Sequence, residues 1–201
     1  MTAPVALPQI SYTGPGFDAA FMASLHEYGF AAVVDHPLDD DRVARIYGEW
    51  LAFFSSGEAA GFRMDPVKQD GYFSLEEAEH AKGFVERDFK EYFQFYPWGR
   101  CPESLQADLA SHFAAAVDLG AELLNCIARS LPEAVTAELT EPLRDMIHGS
   151  EQSMLRVLHY PPVPTGRSVL RAAPHEDINL LTLLPAADGP ALELQLRSGE
   201  W

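Results

Sequence analysis

The sequence is poor in cysteine and has no long apolar run. Its 201 residues include only two cysteines, Cys101 and Cys126, which lack the CxxC spacing of a metal site and are too few for a disulfide framework. We therefore expect both thiols to be reduced. No apolar stretch reaches membrane-spanning length, and residues 1–12 have neither the basic nor the apolar region of a signal peptide. These absences predict a soluble, cytoplasmic protein.

Basic residues are also scarce, since 14 Lys and Arg stand against 30 Asp and Glu and give a formal net charge of −16. Residues 1–150 hold 24 of the acidic and 10 of the basic residues, so they carry most of the excess negative charge. A strongly acidic surface is repelled by phosphate backbones and by anionic lipids. Nucleic acids and membrane surfaces are therefore excluded as expected partners.

What the sequence does contain is 47% apolar residues, enough for the core of one domain or at most two small ones. In residues 1–152 these residues favour helices. They recur at helical spacing from Phe17 to Tyr28, and Gly29 then stands where a left-handed cap is expected. Acidic residues 39–41 suit the start of a second helix, and Pro102 suits the start of a long third one. Short strands are predicted at residues 8–12 and 30–34.

The pattern changes near residue 153, where runs typical of β-strands replace the helical spacing. These runs comprise residues 153–160, 178–184 and 191–196. Helices followed by an antiparallel sheet predict the α+β class. We expect one continuous domain, with a mainly helical part at 1–152 and the first part of a β core at 153–201.

His175 and Asp177 form the most informative pair for chemistry. They lie two residues apart at the start of a predicted strand, so their side chains project from the same face while Glu176 points away. An imidazole and a carboxylate placed in this way can bind one metal ion. With a second histidine, such a pair forms the facial triad of non-haem Fe(II) oxygenases, which leaves open coordination positions. A His-x-Asp pattern alone is common on surface strands, so its interpretation depends on context.

That context is a series of short motifs spread over nearly the whole chain. They are the proline-led strand at 8–12, Tyr28-Gly29-Phe30, Gly71-Tyr72, Asp88-Phe89-Lys90-Glu91, residues 155–162, residues 174–184 and Gly199-Glu200-Trp201. In this order the motifs resemble the isopenicillin N synthase-like branch of the Fe(II)- and 2-oxoglutarate-dependent oxygenases. The resemblance implies N-terminal helices packed on a double-stranded β-helix, or jelly-roll, core that is incomplete at its C-terminus.

The resemblance also implies roles for particular residues. His175 and Asp177 would be iron ligands, with 2-oxoglutarate and O₂ as cosubstrates. Tyr160 would hydrogen-bond a carboxylate of 2-oxoglutarate or of the substrate, although a core tyrosine bonded to backbone is an equal alternative. For Lys90 and Glu91, a structural ion pair or a solvated face is the preferred interpretation. The implied function is a dioxygenase that hydroxylates or desaturates a small organic molecule.

The sequence departs from the family in lacking its distal histidine and its Arg-x-Ser motif. No histidine follows His175, and His159 alternates with Tyr160, so it is expected to face the opposite side. We expect the chain to be the N-terminal part of a longer enzyme. The alternative is a natural short form, completed by oligomerisation that covers the open edge of the barrel.

Three other functions stay open at this stage. One is an oxidase or cyclase of the same fold that uses iron and O₂ without 2-oxoglutarate. Another is a catalytically inactive binding or assembly module, since two functional positions of the family are missing. A structural zinc site or a generic cupin-like metal site is the third.

Overall fold

The computed structural model describes residues 7–78, 87–166, 168–189 and 192–201. Its α-helices are α1 (Phe17–Tyr28), α2 (Asp40–Ser56), α3 (Glu103–Ser130) and α4 (Glu133–Thr136), and a 3₁₀ helix spans Glu58–Phe62. Its strands are β1 (Gln9–Ser11), β2 (Ala32–Val34), β3 (Gly71–Phe73), β4 (Glu91–Phe95) and β5 (Leu155–His159). The predicted α+β class is confirmed, with small sheets. Among the described helices, none has the length and apolar character needed to cross a membrane.

One compact unit is formed by residues 1–38, 117–148 and 183–201. In it β1 and β2 pair in parallel, with Ile10 opposite Val33. Helix α1 ends where the sequence predicted, because Gly29 adopts a left-handed conformation with φ of 71° and donates its N–H to the Leu25 carbonyl. Arg129 lies 2.6 Å from the Asp18 carboxylate and joins α3 to α1.

The other compact unit is formed by residues 39–116 and 149–182. Strands β3, β4 and β5 form an antiparallel sheet in that order. Trp50 and Phe53 of α2 pack on Phe93 of β4, and all three side chains are buried. The ring centroids of Trp50 and Phe93 are 4.7 Å apart. Aromatic residues that recur at helical spacing on α2 therefore form the core of this unit, as is typical of an amphipathic helix.

Gly71 shows why a glycine begins β3. Its φ is +106°, and a Cβ at this position would lie 2.4 Å from the Phe62 carbonyl oxygen. Any larger residue would clash with backbone as well as adopt an unfavourable conformation. Glycine at position 71 is thus a structural requirement of the sheet.

Two predicted strands are corrected by the structure. No strand is present in residues 178–184, nor in the described part, 192–196, of the run at 191–196. The apolar residues of both runs favour strands, but a strand also needs a neighbouring backbone to bond with. Several of the apolar side chains are exposed instead, with Ile178 fully so and Leu184 and Leu192 at 59% and 63%.

Two further expectations concern the thiols and the domain boundary. Both cysteines are free, as predicted, and Cys126 is buried. The division of one continuous domain at residue 152 stays a prediction.

Candidate metal centre

His175 and Asp177 face each other although the segment that carries them is not a strand. The His175 Nε2 atom lies 3.6 Å from the Asp177 Oδ1 atom, and each side chain is about half exposed, at 52% and 48%. The two predicted ligand atoms thus come together at a solvent-accessible place. Bonds of about 2 Å, as imidazole and carboxylate make to a first-row metal such as zinc, would allow both atoms to reach one ion.

The ring of His175 is oriented by backbone. Its Nδ1 atom is 2.8 Å from the Ala173 carbonyl oxygen. A carbonyl oxygen only accepts, so Nδ1 carries the proton, and in the neutral ring the lone pair is left on Nε2. Metal-binding histidines are commonly held in this way by the second ring nitrogen. The tautomer and the direction of the ring therefore suit a ligand.

Asp177 is held in a similar manner. The Thr182 hydroxyl donates to Asp177 Oδ2 at 2.5 Å, while the Asn179 side-chain amide donates to the Thr182 oxygen at 3.0 Å. One carboxylate oxygen is therefore fixed and the other is directed toward His175. Thr182 is a supporting residue that the sequence pattern did not reveal, because its contact with Asp177 depends on how residues 177–182 turn.

The donor set fits a metal ion with two protein ligands. In the part of the chain that the structure describes, no group of three or more His, Cys, Asp or Glu side chains could hold a metal. One imidazole and one carboxylate suit Fe(II) and other first-row divalent ions, with the remaining coordination positions open. The two side chains fit part of a facial triad, and a third protein ligand is absent from these described residues.

A buried ion pair between Lys90 and Asp88 contacts the segment that carries His175. The Lys90 Nζ atom is 2.8 Å from Asp88 Oδ2, and the side chains are only 8% and 4% exposed. The other oxygen of Asp88 accepts the backbone N–H of Ala173 at 2.9 Å. A second link joins the same segments, since the Phe89 N–H donates to the Leu170 carbonyl at 2.8 Å. Asp88 therefore contacts the segment that leads to His175.

Of the two expectations for Lys90 and Glu91, the structural ion pair is confirmed for Lys90 and the solvated face is wrong for it. Lys90 is buried, and its partner is Asp88. The chain bends at Phe89, between the two partners. An acidic and a basic residue two positions apart are the signal that could have identified the pair from sequence.

Glu91 points the other way and bonds Tyr72 and His159. The Tyr72 hydroxyl donates to Glu91 Oε2, and His159 Nδ1 lies 2.7 Å from Glu91 Oε1. His159 also stacks on Phe54, with ring centroids 5.4 Å apart. Burial and the Glu91 contact both raise the pKa of the Tyr72 phenol. The histidine of β5 is therefore engaged with Glu91 and Phe54.

Tyr160 follows His159 and lies near Asp88. Burial raises the pKa of the Tyr160 hydroxyl, the Asp88 carboxylate raises it further, and the Arg171 guanidinium opposes this effect. In the described parts of the chain the structure records no hydrogen bond from that hydroxyl to backbone or side chain. Its predicted role as a carboxylate donor stays a prediction.

Comparisons with known proteins were made on sequence and on structure. No protein-family model matches the chain. It is 20% identical to gibberellin 2-beta-dioxygenase 1 of Pisum sativum over 207 residues, a match that covers 98% of this chain and 62% of the relative. The chain thus spans about three fifths of the curated relatives that it matches.

Two solved structures extend the comparison. A protein described as an oxygenase from Shewanella oneidensis is 40% identical, has a TM-score of 0.87, and is matched over 98% of this chain and 71% of its own. A 2OG-Fe(II) oxygenase family protein from Caulobacter crescentus shares the fold with a TM-score of 0.56 at 24% identity, over 80% of this chain and 58% of its own.

Proposed function

Because this chain belongs to the Fe(II)- and 2-oxoglutarate-dependent oxygenase family, we propose that it is part of a dioxygenase acting on a small organic molecule. The observation that carries the proposal is the convergence of His175 Nε2 and Asp177 Oδ1 at 3.6 Å. The pair presents one neutral and one anionic donor on the same side of the segment. Fe(II), 2-oxoglutarate and O₂ are the proposed cofactor and cosubstrates.

The proposed site consists of metal ligands and of groups that orient those ligands. Bound iron, with 2-oxoglutarate and O₂, would supply the power to oxidise an unactivated C–H bond. His175 and Asp177 would hold the metal, the Ala173 carbonyl keeps the imidazole in the tautomer with a free Nε2, and Thr182 fixes the second carboxylate oxygen. These contacts reduce the motion that a ligand loses on binding metal.

Tyr160 is the proposed donor to a carboxylate of 2-oxoglutarate or substrate. The hydroxyl is protonated at neutral pH, as in any tyrosine, and its raised pKa extends that state to higher pH, so the group can donate a hydrogen bond to an anion. The hydroxyl is also half-buried, which strengthens such a bond by excluding water. A donor without another partner in the described residues suits this role.

A jelly-roll core is the proposed arrangement of the β-rich part. It is supported by the fold shared with the Caulobacter crescentus protein and by the antiparallel order β3-β4-β5. The isopenicillin N synthase-like branch, the possible homo-oligomer and the cytoplasmic location stay predictions.

The experiment that tests the proposal measures succinate. The complete gene product, loaded anaerobically with Fe(II), is given 2-oxoglutarate and O₂ together with a panel of small-molecule substrates. We expect succinate to form in proportion to oxidised product, and His175→Ala to abolish both. Product without succinate would instead identify an oxidase or cyclase. A folded, iron-binding protein that yields neither would identify a binding or assembly module.

A further inference from the structure

We propose that Asp88 is a positioning residue for His175, held in place by the buried ammonium group of Lys90. This inference rests on the proposed function, since it concerns one of the proposed iron ligands. Asp88 itself does not touch the metal position. It acts through Ala173, whose N–H it accepts and whose carbonyl orients the His175 ring.

The contacts form one continuous series. Lys90 Nζ donates to Asp88 Oδ2 at 2.8 Å, and Ala173 N–H donates to Asp88 Oδ1 at 2.9 Å. The Ala173 carbonyl oxygen then accepts from His175 Nδ1 at 2.8 Å. The N–H of Ala173 therefore bonds Asp88, and the carbonyl oxygen of the same residue bonds His175. A shift of Ala173 would move the ring directly.

The residues that orient His175 are buried, whereas the His175 side chain is about half exposed. Asp88, Lys90 and Ala173 are 4%, 6% and 2% exposed, whereas the His175 side chain is 52% exposed. A buried charge pair is costly unless both partners are hydrogen-bonded, and here each oxygen of Asp88 has a donor. The buried end of the series thus orients a ring that is half exposed to solvent.

A backbone hydrogen bond also attaches the segment that leads to His175 to the segment that contains Asp88. Phe89 N–H bonds the Leu170 carbonyl at 2.8 Å, three residues before Ala173. This bond alone would tether the segment 170–175 at one end and leave it free to swing. With the Asp88 bond to Ala173 as a second point of attachment, the segment has a defined position just before His175. Outer contacts of this kind tune metal affinity because they orient the ligand before the metal arrives.

Two matched double variants separate hydrogen bonding from charge. In Asp88→Asn with Lys90→Met, both charges are removed but the side-chain oxygen that accepts the Ala173 N–H is kept. In Asp88→Leu with Lys90→Met, the same charges are removed and the oxygen is lost as well. Asp88→Glu serves as a third variant that keeps the charge pair with Lys90 and displaces the oxygen by one methylene.

The readout is the affinity of the complete gene product for Co(II) alone, measured anaerobically by visible absorption, with circular dichroism to verify folding. We expect the Asn/Met variant to bind Co(II) within about threefold of the unaltered protein. We expect the Leu/Met variant to bind it roughly 10- to 100-fold more weakly, as loss of a supporting contact does. Asp88→Glu should also weaken binding, and it keeps the test valid if the Leu/Met variant does not fold.

A ¹⁵N NMR measurement of the His175 ring adds a readout that a merely structural role would not change. The unaltered protein and the Asn/Met variant should both show the tautomer protonated at Nδ1, and Asp88→Glu should show a mixture. Equal Co(II) affinities for the matched variants, or an unchanged tautomer with weakened binding, would overturn the inference and leave the proposed function standing. Failure of the unaltered protein to bind Co(II) would overturn the proposed function, and this inference with it.

Discussion

At the scale of residues, the spacing of His175 and Asp177 predicted their proximity even though the strand expected to carry them is absent. An i, i+2 pair in extended backbone shares a face whether or not the segment has a neighbour to pair with. Asp88 and Lys90 have the same spacing and form a buried ion pair, although the chain bends at Phe89 between them. Thr182 could not be predicted, because its bond to Asp177 depends on a turn that has no strong sequence signal.

Tyr160→Phe tests the proposed carboxylate donor. A hydrogen bond to a charged group contributes about 1.5–3 kcal/mol, so its loss should raise the KM for 2-oxoglutarate by at least about 10-fold while kcat at saturation changes little. Steady-state succinate formation measures both constants. Tyr28→Phe, at a half-buried tyrosine of α1, is the matched control. An unchanged KM in Tyr160→Phe would rule out the role for 2-oxoglutarate.

The two thiols should be nearly inert near neutral pH. Burial raises the pKa of Cys101 and of Cys126 to about 11. Because the thiolate is the nucleophile, alkylation by iodoacetamide at pH 8 should be on the order of 100-fold slower than for an exposed cysteine. The rate should rise about tenfold per pH unit up to about pH 11, and mass spectrometry would assign it to each cysteine. A rate that levels off near pH 8.5 would contradict the pKa shifts.

The same pKa shifts predict how stability depends on pH. The folded state keeps its thiol protons at pH values where unfolded thiols have lost theirs, so it binds more protons between about pH 9 and 11. The thiol contribution to the free energy of unfolding is therefore complete below pH 9 and is lost as the pH rises toward 11.

At the scale of elements, predictions were accurate where the chain supplies its own hydrogen-bond partners. Helices α1, α2 and α3 begin close to their predicted positions, and α1 ends at its predicted cap, since periodicity and caps are local signals. The structure also contains strands β1, β2 and β5 where the sequence predicted strands. The runs at 178–184 and 191–196 were wrong as strands because a strand depends on a partner that its own sequence does not specify.

The cap of α2 gives a test at this scale. The Asp39 side chain accepts the Arg42 N–H at 3.0 Å and satisfies one of the free donors of the first turn. Asp39→Ala should lower the free energy of unfolding by about 1 kcal/mol, measured by urea denaturation. Asp39→Asn, which keeps an oxygen that can cap, should lose less than half of that. Equal losses in the two variants would show that the cap is not the source.

At the scale of the whole molecule, the order of helical and β patterns predicted the α+β class, and composition predicted the acidic character. Neither predicted the number of strands that pair. The chain spans about three fifths of its curated relatives. Four apolar residues of 178–184 and 192–196 are exposed, namely Ile178, Leu180, Leu184 and Leu192. The third ligand of a facial triad was not predicted from sequence, and the described residues do not supply one. The two predicted ligands alone therefore define the candidate site.

The net charge of −16 predicts how stability responds to salt. Like charges on a compact surface repel one another, and at 0.2 M salt this repulsion is screened beyond roughly 7 Å. Raising NaCl from 20 to 200 mM should therefore move the midpoint of urea unfolding to higher urea. The exposed ion pairs are screened too, but each contributes little. A midpoint that falls with salt would show that attractive pairs outweigh the net repulsion.

The most direct test of the central claim is an anaerobic Fe(II) titration of the complete gene product and of two single-histidine variants. We predict one ion per chain for the unaltered protein and for His148→Ala, which changes an exposed histidine in a different compact unit. In His175→Ala the affinity should fall by more than the ~100-fold that loss of a supporting contact causes. Stoichiometric, equally tight Fe(II) binding by His175→Ala would contradict the assignment of His175 as a ligand and, with it, the candidate site.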